Sequence, residues 1–435
     1  MQRSPRLTLR RSAPALGAAL AAAVLGSGAT AAAAGFDTPI LYTARHQAMG
    51  GTAIAYVDDP AAAFHNPAGL QGVRGLAFLG DFSLILGKVR ASPGAAPQAT
   101  SIESNTVVAP FFLLGAGYRL SDWLSLGFAV FPVASGGAEY KYDIGTTRSI
   151  DSTEIVFFEA TPLLSLNVPK DRWLPGKLAF GAGYRASMVN FDRLQGDEND
   201  PQILNLKLTG FNFTGFRVGV QYAPIEALKL GIVYRNNVKV PTRADNATVV
   251  GQKATDGKLD FTLPSKLGFG ARYDWQRLGV ASDVEWAFQS ENKDAPLQGT
   301  VDGSVATVPN KFEWTNGVTW RAGLEYRLGG EMQVPVRVGY LYDSRVTNKQ
   351  YPSAFGTPPS KTQALTAGAG LSWQRYGNAG KPQRFQVNLA FTRRFGSTHL
   401  DKEDLGDGCP LCGHAGDYSI TMTGFYLDAS FDLPM

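Results

Sequence analysis

The sequence predicts an all-β protein, a 14-stranded antiparallel transmembrane β-barrel with a short plug ahead of it. Three observations carry this: two-residue alternation of apolar and polar side chains, an exported chain with no helix-length apolar run, and connections that alternate between short and long. Within 279–289, Val280, Val284, Trp286 and Phe288 alternate with Ala281, Asp283, Glu285 and Gln289. Within 385–392, Phe385, Val387, Leu389 and Phe391 alternate with Gln386, Asn388, Ala390 and Thr392. In 314–328, Trp314, Val318, Trp320, Ala322, Leu324, Tyr326 and Leu328 share a face opposite Thr315, Thr319, Arg321, Glu325 and Arg327. A period of two means strands with one apolar and one polar face.

Periodicity alone does not say which face meets which solvent. A sandwich turns its apolar face inward, whereas a membrane barrel turns it to lipid and lines its lumen with the polar face. Residues 13–34 apart, no segment holds 18 uninterrupted apolar residues, which argues against spanning helices. Only helices and closed barrels satisfy their backbone polar groups inside a bilayer.

The connections favour the barrel. Candidate strands run at roughly 75–90, 107–119, 123–133, 154–168, 177–192, 203–223, 227–240, 259–274, 277–290, 312–328, 335–346, 363–375, 384–397 and 418–433. Short turns (120–122, 224–226, 275–276, 329–334) alternate with long polar loops (91–106, 241–258, 291–311, 347–362, 398–417). Short turns on the periplasmic rim and long loops outside are the habit of outer-membrane barrels. Tyr118, Tyr222, Tyr273, Tyr326 and Trp373 end strands beside short turns, as an aromatic girdle at headgroup level would. The last strand changes phase near Gly424, from Ile420 and Met422 to Phe425, Leu427 and Phe431, which predicts a bulge there.

Ahead of the strands, Arg3, Arg6, Arg10 and Arg11 precede the uncharged run 13–34, which ends Ala32-Ala33-Ala34. A basic head, an apolar middle and small terminal residues read as a signal peptide over 1–34. The chain has 41 Lys+Arg against 37 Asp+Glu, and the leader holds four of those arginines and no acid. The mature chain is then formally neutral, with no basic excess to attract nucleic acid. Residues 35–74 form the plug, or hatch, and 75–435 the barrel. Three segments, Gly115-Ala116-Gly117-Tyr118-Arg119, Gly181-Ala182-Gly183-Tyr184-Arg185 and Gly268-Phe269-Gly270-Ala271-Arg272-Tyr273, repeat a pattern of alternate glycines. On one face of a strand these make room for something inside or let the strand bend.

In the plug, Asp58-Asp59-Pro60 precedes Phe64-His65-Asn66-Pro67-Ala68-Gly69-Leu70. Pro67 fixes its own φ and pushes Asn66 to an extended conformation, Asn66 can bond nearby backbone, and Gly69 permits positive φ. Asn66-Pro67-Ala68-Gly69, together with Leu263-Pro264-Ser265-Lys266-Leu267-Gly268, Trp320-Arg321-Ala322-Gly323-Leu324-Glu325-Tyr326-Arg327-Leu328 and Val336-Arg337-Val338-Gly339-Tyr340-Leu341-Tyr342-Asp343, resembles the FadL/TodX family of outer-membrane transporters throughout the mature chain. The resemblance implies a barrel plugged by a hatch in a Gram-negative outer membrane. It also implies transport of long-chain fatty acids or related lipids and hydrocarbons by ligand capture, hatch rearrangement and lateral release. The stretch from Gly35-Phe36 onward then lies near an apolar pocket, making Phe36, with Phe64 and His65, the ligand-binding candidates. A related barrel serving protein secretion, or as a surface scaffold, is the alternative reading.

Cys409-Pro410-Leu411-Cys412, in the last long loop of an exported chain, reads as a loop-tying disulfide. The acidic stretch Gly196-Asp197-Glu198-Asn199-Asp200 reads as a solvated loop. There is no Gly-x-Ser-x-Gly elbow, His-Glu-x-x-His helix or phosphate loop, so no enzymatic role, cofactor or metal is expected. The expected partners are a hydrophobic small molecule, outer-membrane lipid and lipopolysaccharide, around a monomeric barrel.

Overall fold

The computed structural model describes residues 41–433 apart from 95, 97–100, 201–202, 250–251, 353–354, 356–357, 377–381, 408 and 410–411. The leader and Phe36 lie outside the described residues. Nineteen hydrogen-bonded runs form one sheet. Two wall strands are each broken into two runs and three short runs belong to loops, which leaves fourteen strands in a closed antiparallel wall. In chain order these are β1 (Leu76–Ala91), β2 (Val107–Arg119), β3 (Leu124–Ile144), β4 (Thr147–Val168), β5 (Lys177–Asp197) and β6 (Leu204–Ile225). β7 consists of Leu228–Arg235 and Val238–Val249, and β8 of Gln252–Leu263 and Lys266–Trp275. The wall continues through β9 (Leu278–Ala287), β10 (Gly317–Gly329), β11 (Gln333–Asp343), β12 (Thr362–Tyr376), β13 (Pro382–Leu400) and β14 (Gly416–Leu433). β14 pairs back onto β1 from Leu76↔Leu433 to Arg90↔Ser419, so the sheet closes on itself with no terminal edge strand.

The polar face points inward. On β10, Thr319, Arg321 and Glu325 are buried in the lumen while Leu324, Tyr326 and Leu328 are exposed on the outside. On β9, Ala281, Asp283 and Ala287 are buried and Val280 and Trp286 exposed. Trp123, Trp173, Trp275 and Tyr376 join Tyr273 and Tyr326 as exposed aromatics beside the short turns. A soluble sandwich would have reversed every one of these assignments.

Three expectations need correction. The segments 241–258 and 291–311 are not simply polar loops: β7 and β8 continue through the first as a hairpin, and the second holds a hairpin of Leu297–Val301 and Ser304–Val308. There the outer face meets water, so the apolar-out signature disappears, while small residues such as Ala244, Ala247 and Ala254 are buried inside. Trp314 is not in a strand, since β10 begins at Gly317. Trp314 N donates to Asn292 O (3.0 Å) and Thr315 N to Val346 O (2.8 Å), loop bonds that replace a ladder. Finally, β14 has no bulge at Gly424, and its register against β13 is unbroken from Arg384↔Asp432 to Leu400↔Gly416. Even-numbered residues face inward throughout. The apolar set changes sides because Tyr418 and Ile420 fill an apolar outer lumen, whereas Phe425, Leu427 and Phe431 face lipid lower down.

Candidate functional site

The described plug holds little regular structure: a four-residue α-helix, α1 (Ala44–Gln47), and 3-10 turns at Pro60–Ala63 and Pro67–Gly72. Its backbone groups therefore need partners from the wall. Asp81 of β1 accepts from Ala44 N (3.1 Å), Asp428 of β14 from Arg45 N (2.8 Å), and Asp283 of β9 from Ala53 N and Ile54 N (2.8 and 3.1 Å). Thr366 of β12 accepts from Gly50 N and donates to Ala48 O. The Asp58 carboxylate bridges Arg45 of the plug (2.5 Å) and Arg384 of β13 (2.9 Å). With contacts to strands around the whole wall, the segment sits inside the lumen.

Asn66 is extended (φ −160°, ψ 109°), as its proline demands, and caps the second 3-10 turn by accepting from Ala68 N (3.2 Å). Its amide also donates to Ile54 O at 2.8 Å, to Val220 O at 3.1 Å and to Ile232 O at 3.3 Å, which joins the plug to β6 and β7. Gly69 has no left-handed φ. Its missing side chain is needed for space, because a Cβ there would stand 2.3 Å from Val57 O. Five of the six patterned glycines, Gly183 being the exception, have the same cause: a Cβ at Gly181 would lie 2.1 Å from Ala68 N, and one at Gly268 2.7 Å from Ile54 Cδ1. The glycines form the seat of the hatch.

Above the hatch, a cavity of about 160 Å³ is lined by Ile155, Phe191, Leu206, Phe261, Phe312 and Phe355 among others, with Arg193 and Lys311 at its polar margin. Cys412 borders this cavity and is disulfide-bonded to Cys409, with Cα atoms 5.4 Å apart. Apolar packing continues downward from it: Phe261 meets Phe157 (6.2 Å between ring centres), and Phe131 meets Phe64, which meets Tyr42 (5.5 and 5.2 Å). All five rings pack in one apolar cluster.

That column ends at a second cavity of about 40 Å³, where Leu41, Phe64, His65 and Val133 face Arg217, Arg235, Lys266, Arg321 and Glu285. Behind it lies Arg185, fully buried and 2.5 Å from Glu159, with Arg217 3.6 Å from the same carboxylate. Lys266 and Arg321 each stand 3.3 Å from Glu285. In this cluster two carboxylates serve five cations. Burial, reinforced by Arg321 and Arg217, pushes the His65 imidazole down to about 3, so it is neutral and hydrogen-bonds Tyr42 O. The sequence-predicted Phe64 and His65 thus line one cavity. The cation cluster had not been anticipated, although each member stands at a lumen-facing position of an alternating strand.

The wall beside this column is incomplete. β2 pairs with β3 only from Arg119↔Ser125 to Leu114↔Val130, although both strands run on outward. Above Val130, β3 carries a register shift between Pro132 and Ala134. Further out Asn105 N donates to Glu139 O (2.8 Å), closing the top of the gap. The Pro132 carbonyl is taken by the Tyr42 hydroxyl (2.8 Å), so the hatch is bonded to the edge of the window.

A closed fourteen-stranded wall around an N-terminal plug is matched by sequence as well. The profile of the outer membrane protein transport protein family (OMPP1/FadL/TodX) covers residues 23–406. The chain belongs to that family. The FadL/TodX proteins are outer-membrane transport proteins of Gram-negative bacteria rather than enzymes, and this barrel shares that location. A Pseudomonas aeruginosa FadL homologue is 16% identical over 92% of this chain and 100% of its own, with a TM-score of 0.67. The Pseudomonas putida toluene transporter TodX is 17% identical over 91% and 99% (TM-score 0.64). The Ralstonia pickettii toluene transporter TbuX is 15% identical over 90% and 98% (TM-score 0.58). At such identities these structures speak for the fold. No curated protein matches the chain in sequence.

Proposed function

We propose that this FadL/TodX barrel carries hydrophobic small molecules, long-chain fatty acids or related lipids and hydrocarbons, from outside into the outer membrane. Cargo is captured in the outer apolar cavity, passes down the aromatic column, and leaves sideways through the gap between β2 and β3 when the hatch shifts. One observation carries this reading: an apolar column that begins under the outer loops ends beside a stretch where two neighbouring wall strands lose their ladder and the hatch is bonded to the strand edge. Lateral exit suits apolar cargo because it never has to enter the water of the periplasm. An outer cavity of about 160 Å³ also compares with the ~150 Å³ of an apolar cavity able to hold a benzene ring.

The cation cluster supports a carboxylate-bearing cargo over a neutral one. Positive groups in excess at the foot of an apolar column suit an amphiphile with an anionic head, which would gain charge-assisted hydrogen bonds there. Phe64 and His65 would then contact ligand, while Asn66, Pro67, Ala68 and Gly69 shape the hatch.

The test is uptake of labelled oleate by cells that lack their own transporter and express this chain, with surface exposure verified in parallel. Uptake above the empty-vector level supports the reading, and loss of oleate but not toluene uptake in Arg217→Met supports the carboxylate assignment. Absence of uptake of oleate, hexadecane and toluene by a correctly inserted barrel, with a stoichiometric protein partner recovered, would overturn it in favour of a scaffold.

A further inference from the structure

We propose that the outward face of the β7–β8 hairpin binds the phosphates of a phosphorylated glycolipid of the outer leaflet, a site distinct from the cargo path. Arg243 and Lys258 stand directly opposite each other in register, both exposed on the outer face. Like charges at directly opposed positions destabilise a strand pair. Together with Lys239 and Lys293 they line one open cleft of about 630 Å³ on the outside of the wall, whose margin also carries Asp260, Asp294 and Glu291, the last accepting from Ser265. Lys239 is offset by Asp260 at 3.0 Å. Among the described residues, no ion pair engages Arg243, Lys258 or Lys293. A bound phosphate would convert this unfavourable juxtaposition into a bridged one, with both cations donating charge-assisted hydrogen bonds to it.

The height of the cleft supports a lipid source. On β7 the outward residues Leu230 and Ile232 are apolar and exposed, and on β8 so are Phe269 and Tyr273. Lys239 lies nine residues beyond Leu230 and Arg243 thirteen. At ~3.3 Å per residue and a tilt of ~40°, that is about 23 and about 33 Å up the wall, against a lipid-facing band of ~25 Å. On neighbouring β6, the exposed rings of Phe211 and Phe213 stack with centres 6.5 Å apart, and Asn212 between them donates to Lys239 O (2.8 Å). An aromatic pair capped by a basic cleft is the order of groups found where acyl chains give way to charged headgroups. Above the apolar band of an outer membrane the anionic group within reach is the phosphate of lipid A.

The experiment uses the full chain purified in detergent and freed of lipid A, with diphosphoryl lipid A in micelles as the probe. Binding to the wild type, weakened at least tenfold in Arg243→Gln/Lys258→Gln and retained in Arg243→Lys, is the expected result. The same double variant should unfold at a higher temperature than wild type when lipid A is absent, because the cross-strand repulsion is gone. Wild-type affinity for lipid A in the folded double variant would overturn the proposal. Inorganic pyrophosphate binding as tightly as lipid A would also overturn the lipid assignment, leaving a site for free phosphate. Heat-modifiable gel mobility identifies folded barrels in every arm.

Discussion

Adding one carbon at Gly181 tests whether the glycines of the wall exist to seat the hatch. A Cβ at this position would lie 2.1 Å from Ala68 N and 2.2 Å from Pro67 C. Ordinary contact begins near 3.4 Å, so in Gly181→Ala the Pro67-Ala68 turn must retreat by about 1.3 Å. Backbone cannot rotate away as a flexible side chain would, and overpacking of this kind costs about 1–3 kcal/mol. The retreat also strains the bonds of Asn66 to Ile54, Val220 and Ile232 and that of Ser165 to Ala68 O (3.0 Å). Losing one or two of these adds roughly 1 kcal/mol each. Docking of the hatch should weaken by about 2–5 kcal/mol, a shift of about 30- to 4,000-fold toward undocked states. The wall itself should not suffer, since glycine is a poor strand former and alanine relieves its backbone entropy. Gly183→Ala is the matched control, two residues along the same strand and facing the same way. Its Cβ would meet Thr161 Cγ2 at 3.2 Å and Leu163 Cβ at 3.5 Å, and no hatch atom. Planar-bilayer conductance and protease cleavage of the hatch read the result. Gly181→Ala should leak and expose the hatch while Gly183→Ala resembles wild type. Equal behaviour of the two variants, both folded, would refute the seat argument.

Further outcomes follow from the same geometry. Glu159→Ala strands Arg185 and Arg217 without their shared carboxylate, and removing one partner of a buried pair costs about 3–5 kcal/mol, read as a lower unfolding temperature by heat-modifiable mobility. Tyr42→Phe leaves the Pro132 carbonyl without the hydroxyl at 2.8 Å, a loss of about 1–3 kcal/mol that should increase hydrogen exchange in residues 131–138 and leave distant β11 unchanged. In the outer loop, the Asp401 backbone N–H, with Lys349, holds the Asp404 carboxyl below its ordinary value. A depressed carboxylate contributes order that is complete above its unfolded value and is lost as pH falls through the folded one. An NMR titration should therefore find the Asp404 midpoint below that of an ordinary aspartate in wild type, and moved upward in Lys349→Ala. The Cys409→Ser/Cys412→Ser pair should speed proteolytic nicking of 401–417 without changing barrel unfolding, because the closed ring lies wholly within one loop.

The wall was legible in the sequence because lipid and lumen impose opposite chemistries on alternate residues. Val280 and Trp286 had to face hydrocarbon if Asp283 was to stay wet or bonded, and the loop lengths then chose barrel over sandwich. Asn66-Pro67 also announced its own extended backbone, since proline acts on its neighbour locally. Where the outer face leaves the bilayer this constraint lapses, which is why the hairpins beyond Asn237 and at Leu297–Val308 read as loops. Only the closed structure could bring Arg185, Arg217, Arg235, Lys266 and Arg321, spread over nearly 140 residues of chain, into one cluster. The window between β2 and β3 is likewise a property of two strands diverging, and neither strand's pattern encodes it alone. Sequence determined which face each strand would show, because that is a local choice of solvent. Tertiary structure decided what met inside, because register and closure are set by all fourteen strands together.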